Sequence, residues 1–286
     1  YKGIPIFHRF TGSQQREVWL SEFPLGCFIS LGLNDPDLTW LDDRLCNNSQ
    51  ILGVCFDVAH GHSLKMLKTI SFYKLRYPKL QVIAGNVCTP MAYQDLVNAG
   101  ADAVKIGVGG GAACTTRSRT SFGVPQFSAV YECAQLAQKL RVPIIADGAI
   151  KSSREVVLAL AAGASTVMVG KLFAATHESA AEKRKMPVGD PEYVAIKTEA
   201  KYRGQASAEF QEEYYGQVKK GTVPEGEAMW IPCQKSAKDL IEELLGGIRS
   251  GLTYGGARNI KELQRKAEFV EVNPNSYSLE SGVRNG

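Results

Sequence analysis

Seven short apolar runs recur along the chain with helical stretches between them, and that alternation narrows the fold more than any other feature. The runs are Ile4-Pro-Ile-Phe7, Cys27-Phe-Ile-Ser-Leu31, Gly53-Val-Cys-Phe56, Gln81-Val-Ile-Ala84, Ala103-Val-Lys-Ile106, Pro143-Ile-Ile-Ala146 and Thr166-Val-Met-Val169. Near-continuous hydrophobicity of this kind suits parallel strands buried on both faces. Helical segments such as Pro90 to Ala99 and Ser128 to Lys139 separate them. The phrases Asn98-Ala-Gly-Ala-Asp102 and Ala161-Ala-Gly-Ala-Ser165 mark helix ends returning to a strand. The pattern predicts an α/β chain built as an eight-stranded (β/α)8 TIM barrel, with one strand either unrecognised or upstream of Tyr1. A doubly wound open sheet is the runner-up.

Polar or glycine residues close these runs: His8-Arg9, Asp57 with His60, Gly85-Asn86, Gly107 through Cys114, Asp147-Gly148 and Gly170-Lys171. In a β/α barrel these ends meet on one face, where active sites lie. Each alone reads as a cap or a turn. Six in register point to a site. The richest of them runs Gly107-Val-Gly-Gly-Gly-Ala-Ala-Cys114-Thr-Thr-Arg117. Its glycines let backbone approach a ligand closely, and the cysteine follows where a thiol is presented to that ligand. Taken by itself, the same stretch reads equally well as an ordinary turn with a small buried cysteine.

Composition restricts the ligand. At 44% hydrophobic and 22% charged, 286 residues form an ordinary globular chain able to bury a large core. The net charge of +4 is dispersed, with no basic run or basic and aromatic stripe, which points away from nucleic acid and toward a small anion. Seven cysteines without a Cys-x-x-Cys pair fit neither a disulfide framework nor a zinc site, and they predict a reducing, cytoplasmic compartment. No apolar run approaches the roughly 20 residues that span a bilayer, so no membrane partner is expected.

The stretch Gly107 to Ala129, with Cys-Thr-Thr-Arg followed by Arg-Thr-Ser-Phe-Gly-Val-Pro-Gln-Phe-Ser-Ala, resembles the inosine monophosphate dehydrogenase and guanosine monophosphate reductase family. The resemblance continues through Ile145-Ala-Asp-Gly148, Val167-Met-Val-Gly170, Tyr202-Arg-Gly204, Val223-Pro-Glu-Gly226 and Leu245-Gly-Gly-Ile-Arg-Ser250 with Thr253-Tyr254. It implies one β/α-barrel catalytic domain over 1–286 with a mobile flap at about 180–228. Dehydrogenases of the family carry a regulatory module after the His-Arg-Phe strand and its helix. Here His8-Arg-Phe10 and Cys27-Phe-Ile-Ser30 stand too close together to hold one. Dehydrogenases also activate water with an Arg-Tyr pair on the flap, whereas Ala206 to Gly221 has Glu213-Tyr214-Tyr215 and no arginine. Thr120 after Arg-Ser-Arg and His177-Glu-Ser179 also resemble the reductase branch.

That branch implies NADPH-dependent reductive deamination of guanosine monophosphate to inosine monophosphate through a covalent thioimidate on Cys114. Thr116 and Glu225 would manage the proton of the departing amine. Asp147 would accept the ribose hydroxyls. Backbone at Gly148 and Gly170, with Lys171 beside them and the Tyr202 hydroxyl, would hold the phosphate. Base selection would rest on backbone near Gly204 and Gln205. Asp57 and Asn86 would face the nicotinamide, and Arg9 could reach an adenosine phosphate or be a surface charge. Carbonyls of Gly109, Gly111 and Cys114 resemble the family's potassium loop, and a homotetramer is implied. One departure is Ala112, where the family often has a serine that contacts phosphate. Two other functions stay open: an NAD-dependent dehydrogenase with an atypical flap, and a catalytically silent purine-nucleotide-binding protein.

Overall fold

The computed structural model describes residues 3–22, 27–47, 51–189 and 195–272. Its main sheet is β1 (Ile6–Phe7), β2 (Cys27–Leu31), β3 (Ile51–Asp57), β4 (Gln81–Val87), β5 (Ala103–Ile106), β6 (Ile144–Asp147) and β7 (Thr166–Met168). Every predicted apolar run has become a strand. The connecting helices are α1 (Ser13–Glu22), α2 (Asp35–Cys46), α3 (Leu64–Arg76), α4 (Pro90–Asn98), α5 (Thr116–Thr120), α6 (Gln126–Leu140) and α7 (Ser153–Ala161). Side-chain caps start several of them: Asn34 before α2, Ser63 before α3, Thr89 before α4 and Ser152 before α7.

All pairings in this sheet are parallel and the strand order is sequential, β1 to β7, without the reversal that defines a doubly wound sheet. Curling follows from the inner layer. Ile6 of β1 and Met168 of β7 pack against the same cluster, built on Cys55, Ile83 and Ile145. First and last strands reach one cluster only if the sheet bends toward closure, so the architecture is that of a β/α barrel. Among the described residues β1 and β7 remain edges. Side chains alternate in direction along each strand: Val54, Phe56, Val82, Ala84, Val104, Ile106, Ile144 and Ala146 face the helices and form the main core. Two tyrosine hydroxyls buttress that core, Tyr73 donating to Leu38 O at 3.1 Å and Tyr93 to Val142 O at 2.6 Å.

After β7 come α8 (Lys171–Ala174), β8 (Lys183–Val188), β9 (Ala195–Arg203), α9 (Ala208–Tyr215), β10 (Ala228–Pro232), α10 (Ala237–Tyr254) and α11 (Ile260–Lys266). The stretch predicted as a flap therefore carries regular structure, an antiparallel sheet ordered β10-β9-β8 with α9 between its last two strands in sequence. Residues 190–194 of it lie outside the described residues. No helix among the described residues is long and apolar enough to cross a membrane.

Candidate active site

The glycine loop after β5 is shaped by contacts that admit no side chain. Gly107 has φ +149°, and a Cβ there would sit 1.8 Å from the Asp147 carbonyl oxygen; only glycine fits. The loop is braced from both sides. The Arg117 guanidinium donates to Val108 O at 3.1 Å and to Val124 O, while Ala149 N donates to Gly110 O at 2.8 Å. Cys114 N then donates to Gly111 O at 3.0 Å, a tight turn that brings the half-buried thiol into a cleft of ≈ 470 Å³.

In that cleft Cys114 Sγ donates to Thr116 Oγ1 at 3.2 Å, and Thr116 Oγ1 donates to Glu225 Oε2 at 2.7 Å. Backbone bonds zip the two segments together: Thr115 N to Glu225 O, and Glu227 N to Ala113 O, each 2.9 Å. The second segment is tied onward to the end of β9 and the turn before α9 by Gly204 N to Glu227 O at 2.9 Å and Glu225 N to Ala206 O at 3.1 Å. Thiol, hydroxyl and carboxylate thus form one hydrogen-bonded series through which a proton can move. Other thiols are set apart by burial, which pushes Cys55 and Cys133 up to about 12 and raises Cys27 and Cys88. Cys46, by contrast, is exposed at the end of α2.

Below the thiol lies a charged layer. Lys105, whose side chain is 3% exposed, places Nζ 2.8 Å from Asp57 Oδ1 and 2.8 Å from Asp147 Oδ2. Burial would lower the ammonium's pKa, but Asp147 and Asp57 outweigh it and hold the group well above its usual value. Asn86 Nδ2 donates to Asp147 Oδ2 at 2.9 Å and to Gly107 O at 2.8 Å. The Tyr202 hydroxyl lies against Gly170, and its pKa is raised first by burial and then by Asp147 and Cys114.

The cleft gathers nearly all the residues singled out from sequence. Cys114, Thr116, Glu225, Asp147, Asp57, Asn86 and Arg9 line it, as do Gly109, Gly111, Gly148, Gly170, Tyr202, Gly204 and Gln205. Lys171 is not among the lining residues; it opens α8 directly after Gly170. Asn86 spends its amide group on Asp147 and Gly107, which puts it beside the predicted ribose carboxylate. Its Oδ1 stays buried without a donor, the kind of acceptor a carboxamide would satisfy. Arg9 lays its guanidinium 4.3 Å from the Phe10 ring, with Nε buried and unpartnered. Phe10 in turn meets α9 through Phe210 at 4.7 Å and Tyr214 at 5.2 Å. Sequence reasoning missed Lys105. A lysine between Val104 and Ile106 in an otherwise apolar strand was the available signal, since a charge there must be paired.

A β/α barrel whose strand ends converge on a glycine loop, a thiol and two half-buried carboxylates has the architecture of a small-molecule enzyme. The chain belongs to the IMP dehydrogenase / GMP reductase domain family, an oxidoreductase family, whose match covers residues 44–283. It is 44% identical over 225 residues to inosine-5'-monophosphate dehydrogenase of Aquifex aeolicus (strain VF5), covering 77% of this chain and 44% of that protein. It is 36% identical over 244 residues to GMP reductase of Caenorhabditis elegans, covering 85% of this chain and 66% of that protein. In structure it is similar to a GMP reductase variant from Trypanosoma brucei in complex with guanosine 5'-monophosphate, at TM-score 0.80 and 31% identity over 91% of this chain and 52% of the other. The chain spans less than half the length of the dehydrogenase.

Proposed function

We propose that the chain reduces guanosine monophosphate to inosine monophosphate and ammonia at the expense of NADPH. The series Cys114 to Thr116 to Glu225 carries the reading. Cys114 gives up its proton along Thr116 to Glu225 as its sulfur adds to C2 of the purine; the same proton, returned from Glu225 by way of Thr116, lets the 2-amino group leave as ammonia, and a thioimidate remains. NADPH, when bound, supplies a hydride to C2. The Cys114 sulfur then departs as thiolate and inosine monophosphate is released, with no hydrolysis. In keeping with that, α9 has no arginine to activate water, and its Glu213 is ion-paired with Arg203.

Asp147 holds the ribose, and backbone at Gly148 and Gly170 with the Tyr202 hydroxyl holds the phosphate. Asn86 Oδ1 and Arg9 Nε, both buried and unpartnered, are suited to a cofactor carboxamide and a phosphate. A monovalent cation, potassium by resemblance, would draw on carbonyls of Gly109, Gly111 and Cys114. A cytoplasmic homotetramer completes the reading, with β8 to β10 and α9 as a flap.

The identity to dehydrogenases, 44% for the Aquifex protein, favours a second reading in which inosine monophosphate is oxidised with NAD. Absorbance at the NADPH band separates them. Loss of absorbance with guanosine monophosphate supports the reductase. A gain with inosine monophosphate and NAD replaces it with the dehydrogenase, and nucleotide binding without either signal means a silent protein.

A further inference from the structure

We propose that Lys105 is a positioning residue that aims the Asp147 carboxylate at a vicinal diol, so that preference for ribo- over 2′-deoxyribonucleotides is set from inside the barrel. The inference rests on the purine-nucleotide reading above and deepens it. Lys105 stands on the inward face of β5, opposite Ile145 of β6, with its ammonium between Asp57 on β3 and Asp147 on β6. Its stem is pinned as well: a Cβ added at Gly85 of the neighbouring strand would meet Lys105 Cβ at 2.6 Å, so backbone closes over it.

The choice of oxygen matters. Lys105 Nζ and Asn86 Nδ2 both donate to Oδ2 of Asp147, at 2.8 and 2.9 Å. Two donors saturate that oxygen's two lone pairs. Oδ1 has no protein donor among the described residues, and Asp147 is partly exposed in the cleft that also holds Cys114. Two lone pairs therefore remain, the number that two adjacent hydroxyls require. Without the cation, Asp57 and Asp147 would face each other as like charges, and the Asp147 side chain would turn away from its present aim.

The test is calorimetric titration of the whole chain with guanosine monophosphate and with 2′-deoxyguanosine monophosphate, no cofactor present. Unsubstituted protein should prefer the ribonucleotide by about tenfold or more, the usual size of a hydrogen bond to a charged group. Lys105→Met should bring the ratio close to one, and Lys105→Arg, which keeps the cation, should retain the preference. Asn86→Ala removes the second donor on Oδ2 without disturbing the buried charges; it should lower the ratio in the same direction and decides the matter if Lys105→Met does not fold. If Lys105→Met or Asn86→Ala weakens both nucleotides equally, the group is a structural support and the inference fails. Unsubstituted protein that binds both nucleotides equally also overturns it. Binding of neither overturns the purine-nucleotide reading itself.

Discussion

Thr116 Oγ1 and Glu225 Oε2 lie 2.7 Å apart although 109 residues separate them in sequence. This side-chain bond joins the loop of Cys114 to a turn beyond α9, beside the backbone bonds between the same segments. Glu225→Gln keeps the shape and loses the proton. It should reduce guanosine monophosphate turnover by roughly 10²- to 10⁴-fold, the range of general acid–base contributions, while nucleotide binding stays intact. Steady-state rates with calorimetry check this; a variant that turns over normally, or cannot bind, refutes the assignment.

Cys114 should be the one cysteine that nucleotide protects from alkylation. Cys55 and Cys133, pushed up to about 12, stay protonated near neutral pH. The exposed Cys46 should label readily without loss of activity. Mass spectrometry after iodoacetamide treatment, with and without guanosine monophosphate, reads this out. Protection mapping to another thiol would remove Cys114 from its role.

Asp147→Ala should raise the nucleotide KM by about 10- to 100-fold, the cost of losing hydrogen bonds to a charged group. Its effect on kcat should be small by comparison, because the sugar is held alike in ground and transition states. Cys114→Ser should show the opposite split. A kcat loss in Asp147→Ala as large as its KM change would assign the carboxylate to chemistry.

Glu262 predicts an acid limb in stability. Its carboxyl accepts the Arg258 guanidinium at 2.6 Å and the Arg258 backbone N–H at 2.7 Å, and these hold it down to about 2. A depressed folded value means that the stabilisation is present above the unfolded value of roughly 4.3 and is lost as pH falls from there through 2. Urea midpoints of the unsubstituted chain and Glu262→Gln should differ at pH 7 and converge toward pH 2. A gap that does not close on acidification would place the effect elsewhere than the charge.

The barrel was legible because parallel strands buried on both faces leave apolar runs, and all seven runs became strands. The strand-end residues were legible for a related reason: the fold collects them on one face whatever their chemistry. Lys105 escaped because strand hydrophobicity averages over a single charge, and its role exists only through Asp57 and Asp147 on strands distant in sequence. The antiparallel sheet of β8 to β10 escaped too. Its strands are half exposed and rich in lysine and glutamate, as in Lys183-Arg-Lys185 and Lys197-Thr-Glu199, so they lack the apolar signature. Lys171 opens α8 directly after Gly170 and is not among the residues that line the cleft.

The backbone zip between residues 113–115 and 225–227 has a consequence for how such a protein can be switched. Asp147, Gly148 and Gly170, proposed above to hold ribose and phosphate, belong to the barrel sheet and its loops, whereas Glu225 arrives on a separate segment tied to β9, which carries Tyr202, and to the start of α9. On the proposed reading, parting that zipper would take Glu225 away from Thr116 and Cys114 while Asp147 and the glycine turns of the barrel stayed in place. Occupancy and turnover then become separable quantities, and a cell could hold this protein loaded with ligand yet idle.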